Sequence, residues 1–200
     1  RDKLVTGVQT CALPISGAFP RATQPAPEAV GVGVIGVEQP LDLAFESDGT
    51  LLVAAGEEGI LELDPVGMAI HRVRVPGLPE REVAAMALSP DGSIFLIDAL
   101  RGRGERLSRD GEVVARFGSL RHAQGIALSP DGARIAVADT GSDRVLLFDA
   151  SNLDRDPTVI GSRGTANGEF RAPSAVVFDL AWRLFVVDSD NHRVQRFGVN

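Results

Sequence analysis

One pattern constrains this chain more than any other: a set of short apolar runs that recurs every 40–50 residues. It is plainest at residues 170–197, FRAPSAVVFDLAWRLFVVDSDNHRVQRF. AVVF, LFVV and VQRF are each rich in Val and Phe and read as strands. The breaks between them are too short for crossover helices, so consecutive strands pair antiparallel as a meander. Three upstream copies carry the same order. The first is LDLAF, ESDG, TLLVAA, GEEG, ILEL and then IHRVRV. The second is AAMAL, SPDG, SIFLID, ALRGRG, ERLS and EVVARF, and the third is GIAL, SPDG, ARIAVAD, TGSD, RVLLF and PTVIG. Ala55, Asp98, Asp139 and Asp188 end the second strand of each copy, at separations of 43, 41 and 49 residues.

Four strands per period of this length are the mark of propeller blades. One blade has two apolar faces and cannot cover both alone; stacking blades around an axis covers them. The predicted fold is all-β, a β-propeller of four-stranded antiparallel blades with four blades visible. They span about residues 39–76, 82–118, 123–161 and 172–200. A glycine-rich strand, GVGVIG at 31–36, precedes them and belongs to a preceding or closing blade. Asp48-Gly49, Asp91-Gly92 and Asp131-Gly132 supply the positive φ of a tight turn between first and second strands. The fourth copy has Ala181-Trp182 instead, which puts Trp182 in a rim loop, either as a ring over neighbouring strand ends or as a ligand platform. No helix is predicted.

The first sixteen residues stand outside the pattern. Residues 5–15, VTGVQTCALPI, resemble a translated sequencing adapter, so residues 1–16 are set aside. They hold the chain's single cysteine, Cys11, and single lysine, Lys3. Without them the chain has 18 arginines against 26 acidic residues, a net charge of −8. No disulfide, thiol nucleophile or Schiff-base lysine is then expected. Residues 17–30, with three prolines, read as a linker of the kind that follows a secretion signal, which favours a periplasmic or extracellular site. Nineteen arginines with no tyrosine fit a G+C-rich coding sequence and a bacterial source. The acidic charge argues against nucleic-acid binding, and no apolar run is long enough for membrane insertion.

Residues 167–197, NGEF-RAPSAVVFD-LFVVDSDNHRVQRF, resemble the NHL repeat, whose Asn-His-Leu run stands here as Asn191-His192-Arg193. The third copy is similar at DTGSDRVLLFD, the second keeps Asp98 and Arg103, and the first is degenerate, with Ala55 and Gly59. The resemblance implies a six-bladed propeller. Six blades need roughly 260 residues, so four blades would be a fragment. The alternative is that strand 31–36 supplies the missing outer strand of the last blade and closes a four-bladed ring. The third copy also looks like the gluconolactonase type of propeller, but that resemblance implies an Asn where Gln124 stands and an Asp where Ser174 stands. Both departures remove hard oxygen ligands.

Two residue sets recur. Asp98/Arg103, Asp139/Arg144 and Asp188/Arg193 flank the loop between second and third strands, where a carboxylate can accept from a guanidinium or from loop amides. A group repeated in every blade reads as structural. Paired carboxylates such as Asp188/Asp190 read as solvated. Arg81, Arg121 and Arg171 lie four to five residues before the axial strand of their blades, where the first copy has Glu38. They form an arc around one mouth of the channel, or else stand as separate solvated arginines paired with residues such as Glu80 and Glu82. With His122 and Gln124 the arc is the candidate ligand site. His71, His122 and His192 fall on different element types, so no metal site and no cofactor are expected. The chain reads as a binding scaffold for a peptide, protein or small anionic ligand. The alternative is a metal-assisted lyase or lactonase whose site lies partly in further blades.

Overall fold

Why the strands form is visible in the ladders. Each blade alternates apolar side chains to both of its faces, and short turns hold neighbouring strands in antiparallel register. The computed structural model describes residues 37–199, less 38, 47–48, 56–58, 64–68 and 74–82. The expectations for residues 1–36, and for Asp48 and Arg81, lie outside the described residues.

Blade 1 is β1 (Pro40–Phe45), β2 (Leu51–Ala55), β3 (Gly59–Leu63) and β4 (Ala69–Val73). Blade 2 is β5 (Val83–Leu88), β6 (Ile94–Asp98), β7 (Arg103–Leu107) and β8 (Val113–Phe117). Blade 3 is β9 (Gly125–Leu128), β10 (Arg134–Asp139), β11 (Arg144–Asp149) and β12 (Thr158–Ile160). Blade 4 is β13 (Pro173–Phe178), β14 (Arg183–Asp188) and β15 (Arg193–Gly198). Within each sheet the strands lie in sequence order and pair antiparallel. The first strands of successive blades, β1, β5, β9 and β13, pack side by side and form the axial layer. This is the all-β propeller arrangement that the repeat predicts. The described residues contain no α-helix, only single 3₁₀ turns at Thr140–Ser142 and Ser189–Asn191.

The core lies between blades. Leu52, Ala54 and Ile60 of blade 1 meet Val83, Met86, Ile94 and Leu96 of blade 2. Phe95, Ile97 and Phe117 of blade 2 meet Ile126, Ile135, Val137 and Phe148 of blade 3, with Phe117 edge-on to Phe95 and Phe148 at 6.2 and 5.0 Å. Ala136, Ala138 and Val145 of blade 3 meet Val176, Leu184, Val186 and Phe170. Each fully buried side chain of this kind contributes on the order of 1.5–3 kcal/mol.

The turns between first and second strands share one form. The N–H of the fourth turn residue donates to the carbonyl of the first, from Gly49 to Glu46, Gly92 to Ser89, Gly132 to Ser129 and Trp182 to Asp179. The fourth residue has positive φ each time: 95°, 83°, 71° and 62°. Glycine adopts this freely; Trp182 does so as a bulky residue, held by an Asp179 side chain that accepts from the Ala181 and Arg183 N–H groups. Trp182 is 41% exposed, and Leu180 beside it is 91% exposed.

Candidate functional site

In blades 2–4 the loops at one end are built around the aspartate that ends the second strand. Asp139 is fully buried; its Oδ1 accepts the Arg121 N–H at 2.6 Å and its Oδ2 accepts Nε of Arg144 at 2.8 Å. Asp188 repeats this one blade on, with the Arg171 N–H at 2.7 Å and Arg193 Nε at 2.7 Å. Asp188 is thus buried, not solvated as its loop-like sequence suggests, because four donors converge on it. Besides Arg171 and Arg193 these are Asn191 Nδ2 at 2.9 Å and Gln195 Nε2 at 3.1 Å. Burial works to raise its pKa, but the bonds from Arg171, Asn191, Arg193 and Gln195 outweigh that and hold it below the usual carboxylate value.

The Asn191-His192-Arg193 run has divided duties. Asn191 also donates to the Gly164 carbonyl. Arg193 donates to the carbonyls of Thr165, Ala166 and Glu169 and so anchors the loop ahead of blade 4. His192 takes the left-handed conformation, φ 54°, that ends the 3₁₀ turn, and its side chain is exposed. Asn191 and Gln195 lie outside the recurring Asp/Arg set because neither recurs in the other copies.

At Asp98 the pairing differs from the Asp/Arg spacing. Arg101 takes the guanidinium place, with NH1 3.0 Å from Asp98 Oδ2. Arg103 turns to the buried Glu105, 3.1 Å from Nε and 2.8 Å from NH2. Residues two apart on a strand share a face, so Glu105 stands beside Arg103, whereas Leu146 and Gln195 stand beside Arg144 and Arg193.

Arg121 and Arg171 occupy equivalent positions in adjacent blades. The backbone of each is gripped twice: the N–H by Asp139 or Asp188, the carbonyl by the N–H of Gly141 or Asp190, at 2.7 and 3.1 Å. The following residues, His122 and Ala172, have φ 51° and 47°. One loop ties the two positions together. Residues 140–143 hold Arg121 through Gly141, and reach blade 4 through Asp143, which accepts the Ala172 N–H at 2.8 Å, and through Thr140, which donates to the Pro173 carbonyl at 2.7 Å. β13 begins two residues after Arg171, not four or five, because pairing of Pro173 with Asp188 starts ahead of a bulge.

Both arginine side chains are exposed, and among the described residues neither meets a carboxylate. Arg101, Arg103, Arg106, Arg109, Arg116, Arg144, Arg163, Arg183 and Arg193 all do, while Arg155 and Arg196 are likewise exposed and without one among the described residues. His122 and Gln124 are exposed beside Arg121, and the Gln124 N–H is held by the Ala138 carbonyl at 3.2 Å. Ser174 takes the matching place in blade 4, its hydroxyl 2.6 Å from that of Ser189. In blades 1 and 2 this place holds Leu41 and Ala84. Among the described residues no three His, Cys, Asp or Glu side chains stand close enough together to hold a metal ion. The end therefore offers cationic and neutral hydrogen-bond donors on rigid backbone, a set suited to carboxylate or phosphate oxygens.

The fold matches those of solved structures. A streptogramin B lyase aligns with 16% identity and a TM-score of 0.56, over 82% of this chain and 56% of that one. A nidogen/laminin complex aligns with 20% identity and a TM-score of 0.61, over 80% and 60%. Hydrazine synthase of Kuenenia stuttgartiensis aligns with 15% identity and a TM-score of 0.59, over 92% and 53%. No family model and no curated sequence matches the chain. The protein is of the β-propeller class, and it spans little more than half the length of the chains it matches. At these identities the likeness is one of fold; enzymes and binding proteins share it.

Proposed function

We propose that this chain is a propeller scaffold of the NHL-repeat type that binds an acidic partner at the loop end carrying Arg121, His122, Gln124 and Arg171, with Arg81 at the corresponding position of the sequence. The partner is an acidic peptide or protein segment, or a small anion. The observation that carries this reading is that Arg121 and Arg171 have pinned backbones and guanidinium groups without a carboxylate among the described residues. Holding an exposed cation in place without neutralising it keeps its donors available to a ligand.

A fluorescent acidic peptide, such as a Glu-rich decamer, titrated at low salt provides the test. The expected result is saturable binding that weakens as salt rises. Arg121→Gln with Arg171→Gln should weaken it by about tenfold or more, the loss of roughly 1.4 kcal/mol or more, while the melting temperature holds. Unchanged affinity in the double variant overturns the reading.

A further inference from the structure

Large apolar side chains stand exposed at several places, and most have a reason in the blade. Leu43 and Phe45 lie on the face of blade 1 turned away from blade 2, and Val177 and Val194 on the face of blade 4 turned away from blade 3. Val114 and Val159 belong to the outer strands β8 and β12, and Leu180 and Trp182 to the turn between β13 and β14. Leu100 and Leu41 are of another kind. Leu100, 66% exposed, sits in the loop between β6 and β7, and Leu41, 43% exposed, in the bulge that opens β1. Both lie at the end that carries Arg121 and Arg171.

The loop itself does not call for a leucine. Asp98 to Arg103 is in register with Asp139 to Arg144 and Asp188 to Arg193, so Leu100 matches Gly141 and Asp190. Those two act through backbone N–H groups, which donate to the Arg121 and Arg171 carbonyls. A Cβ at Gly141 would stand 3.1 Å from Cγ of Arg121, so this loop position borders the arginine position of its blade. The loop of Leu100 is also stitched to the entry of blade 3: the Gly102 carbonyl accepts the Leu120 N–H at 2.8 Å, one residue before Arg121. Leu41 holds in blade 1 the place of Gln124 in blade 3 and Ser174 in blade 4. This end is therefore divided, with leucines on blades 1 and 2 and cationic and hydrogen-bonding groups on blades 3 and 4.

We infer, resting on the reading that this end binds an acidic partner, that the partner is an acidic peptide segment with a leucine-sized apolar residue beside its carboxylates. Arg121 and Arg171 take the carboxylates, and Leu100 and Leu41 cover the apolar side chain. A ligand that is acidic throughout would lay carboxylates over the leucines and desolvate them without a partner. An amphipathic one buries both leucines and keeps its carboxylates on guanidinium groups. Charge then brings the partner in, and the apolar contact selects among acidic candidates.

Two fluorescent decapeptides of equal charge test this on the whole protein, one with a central Ser-Ser pair among glutamates and one with Leu-Leu in its place. The Leu-Leu peptide is expected to bind about tenfold tighter. That ratio should hold as salt rises, while both affinities fall. Leu100→Ser with Leu41→Ser should bring the ratio close to one at an unchanged melting temperature. Val114→Ser, at an exposed apolar position of β8, should leave the ratio as it is. Equal affinities of the two peptides for the unsubstituted protein overturn the inference while the reading beneath it stands, and so does a ratio that survives in the double leucine variant. Binding of neither peptide overturns both. Should the double variant fold poorly, Leu100→Ser alone decides, with the ratio required to fall by about threefold or more.

Discussion

Asp188, with none of its surface exposed, accepts the backbone N–H of Arg171 at 2.7 Å and Nε of Arg193 at 2.7 Å, so one carboxylate joins the start of blade 4 to the end of its second strand. Replacing it by alanine leaves several buried donors unpaired at once. Asp188→Ala is expected to destabilise the protein by about 3 kcal/mol. It should also speed hydrogen exchange through residues 164–172, whose carbonyls Arg193 and Asn191 hold. Urea unfolding with exchange mass spectrometry checks both. A loss below about 1 kcal/mol would show that the clamp is dispensable.

The same carboxylate sets a pH dependence. Its folded pKa lies below the unfolded value of about 3.9. The folded state therefore binds fewer protons, and the stabilisation is complete above about pH 4 and lost as pH falls through the folded value. Urea midpoints at pH 7 and pH 3 should show wild type losing more stability on acidification than Asp188→Asn. Equal losses would mean that Asp188 does not couple to the acid transition.

The axial strands impose a steric prediction. A Cβ at Gly125 would lie 3.0 Å from both Ala175 Cα and the Ser174 carbonyl oxygen, so β9 and β13 could keep their spacing only by shifting backbone. Gly125→Ala should cost about 1–3 kcal/mol, read from the thermal midpoint. An unchanged midpoint would mean that the axial layer is looser than the fold requires.

The fold could be read from the sequence because the period is written in local units: strand-length apolar runs, Asp-Gly turns and a fixed count between them. The clamps are legible only where the arginine meets no competing carboxylate on its own strand. Asp139/Arg144 and Asp188/Arg193 are spaced across a single loop, but Arg103 is drawn away by Glu105 on its own strand. Asp188's burial depends on Asn191 and Gln195 side chains and on a loop some 20 residues upstream, none of which the repeat spacing reports. Trp182 lies in a turn, as the repeat predicts, but its positive φ of 62° follows from matching Gly132, not from any preference of tryptophan.

Residues 121 and 171 are held by backbone groups alone, their N–H by Asp139 and Asp188 and their carbonyls by the N–H groups of Gly141 and Asp190, and every amino acid but proline offers both. Side-chain identity at these positions is therefore decoupled from the stability of the blade. In blades 3 and 4 the loop works as a socket of constant shape into which a different chemical group can be fitted. A ring built this way can change its ligand by single substitutions without disturbing its frame.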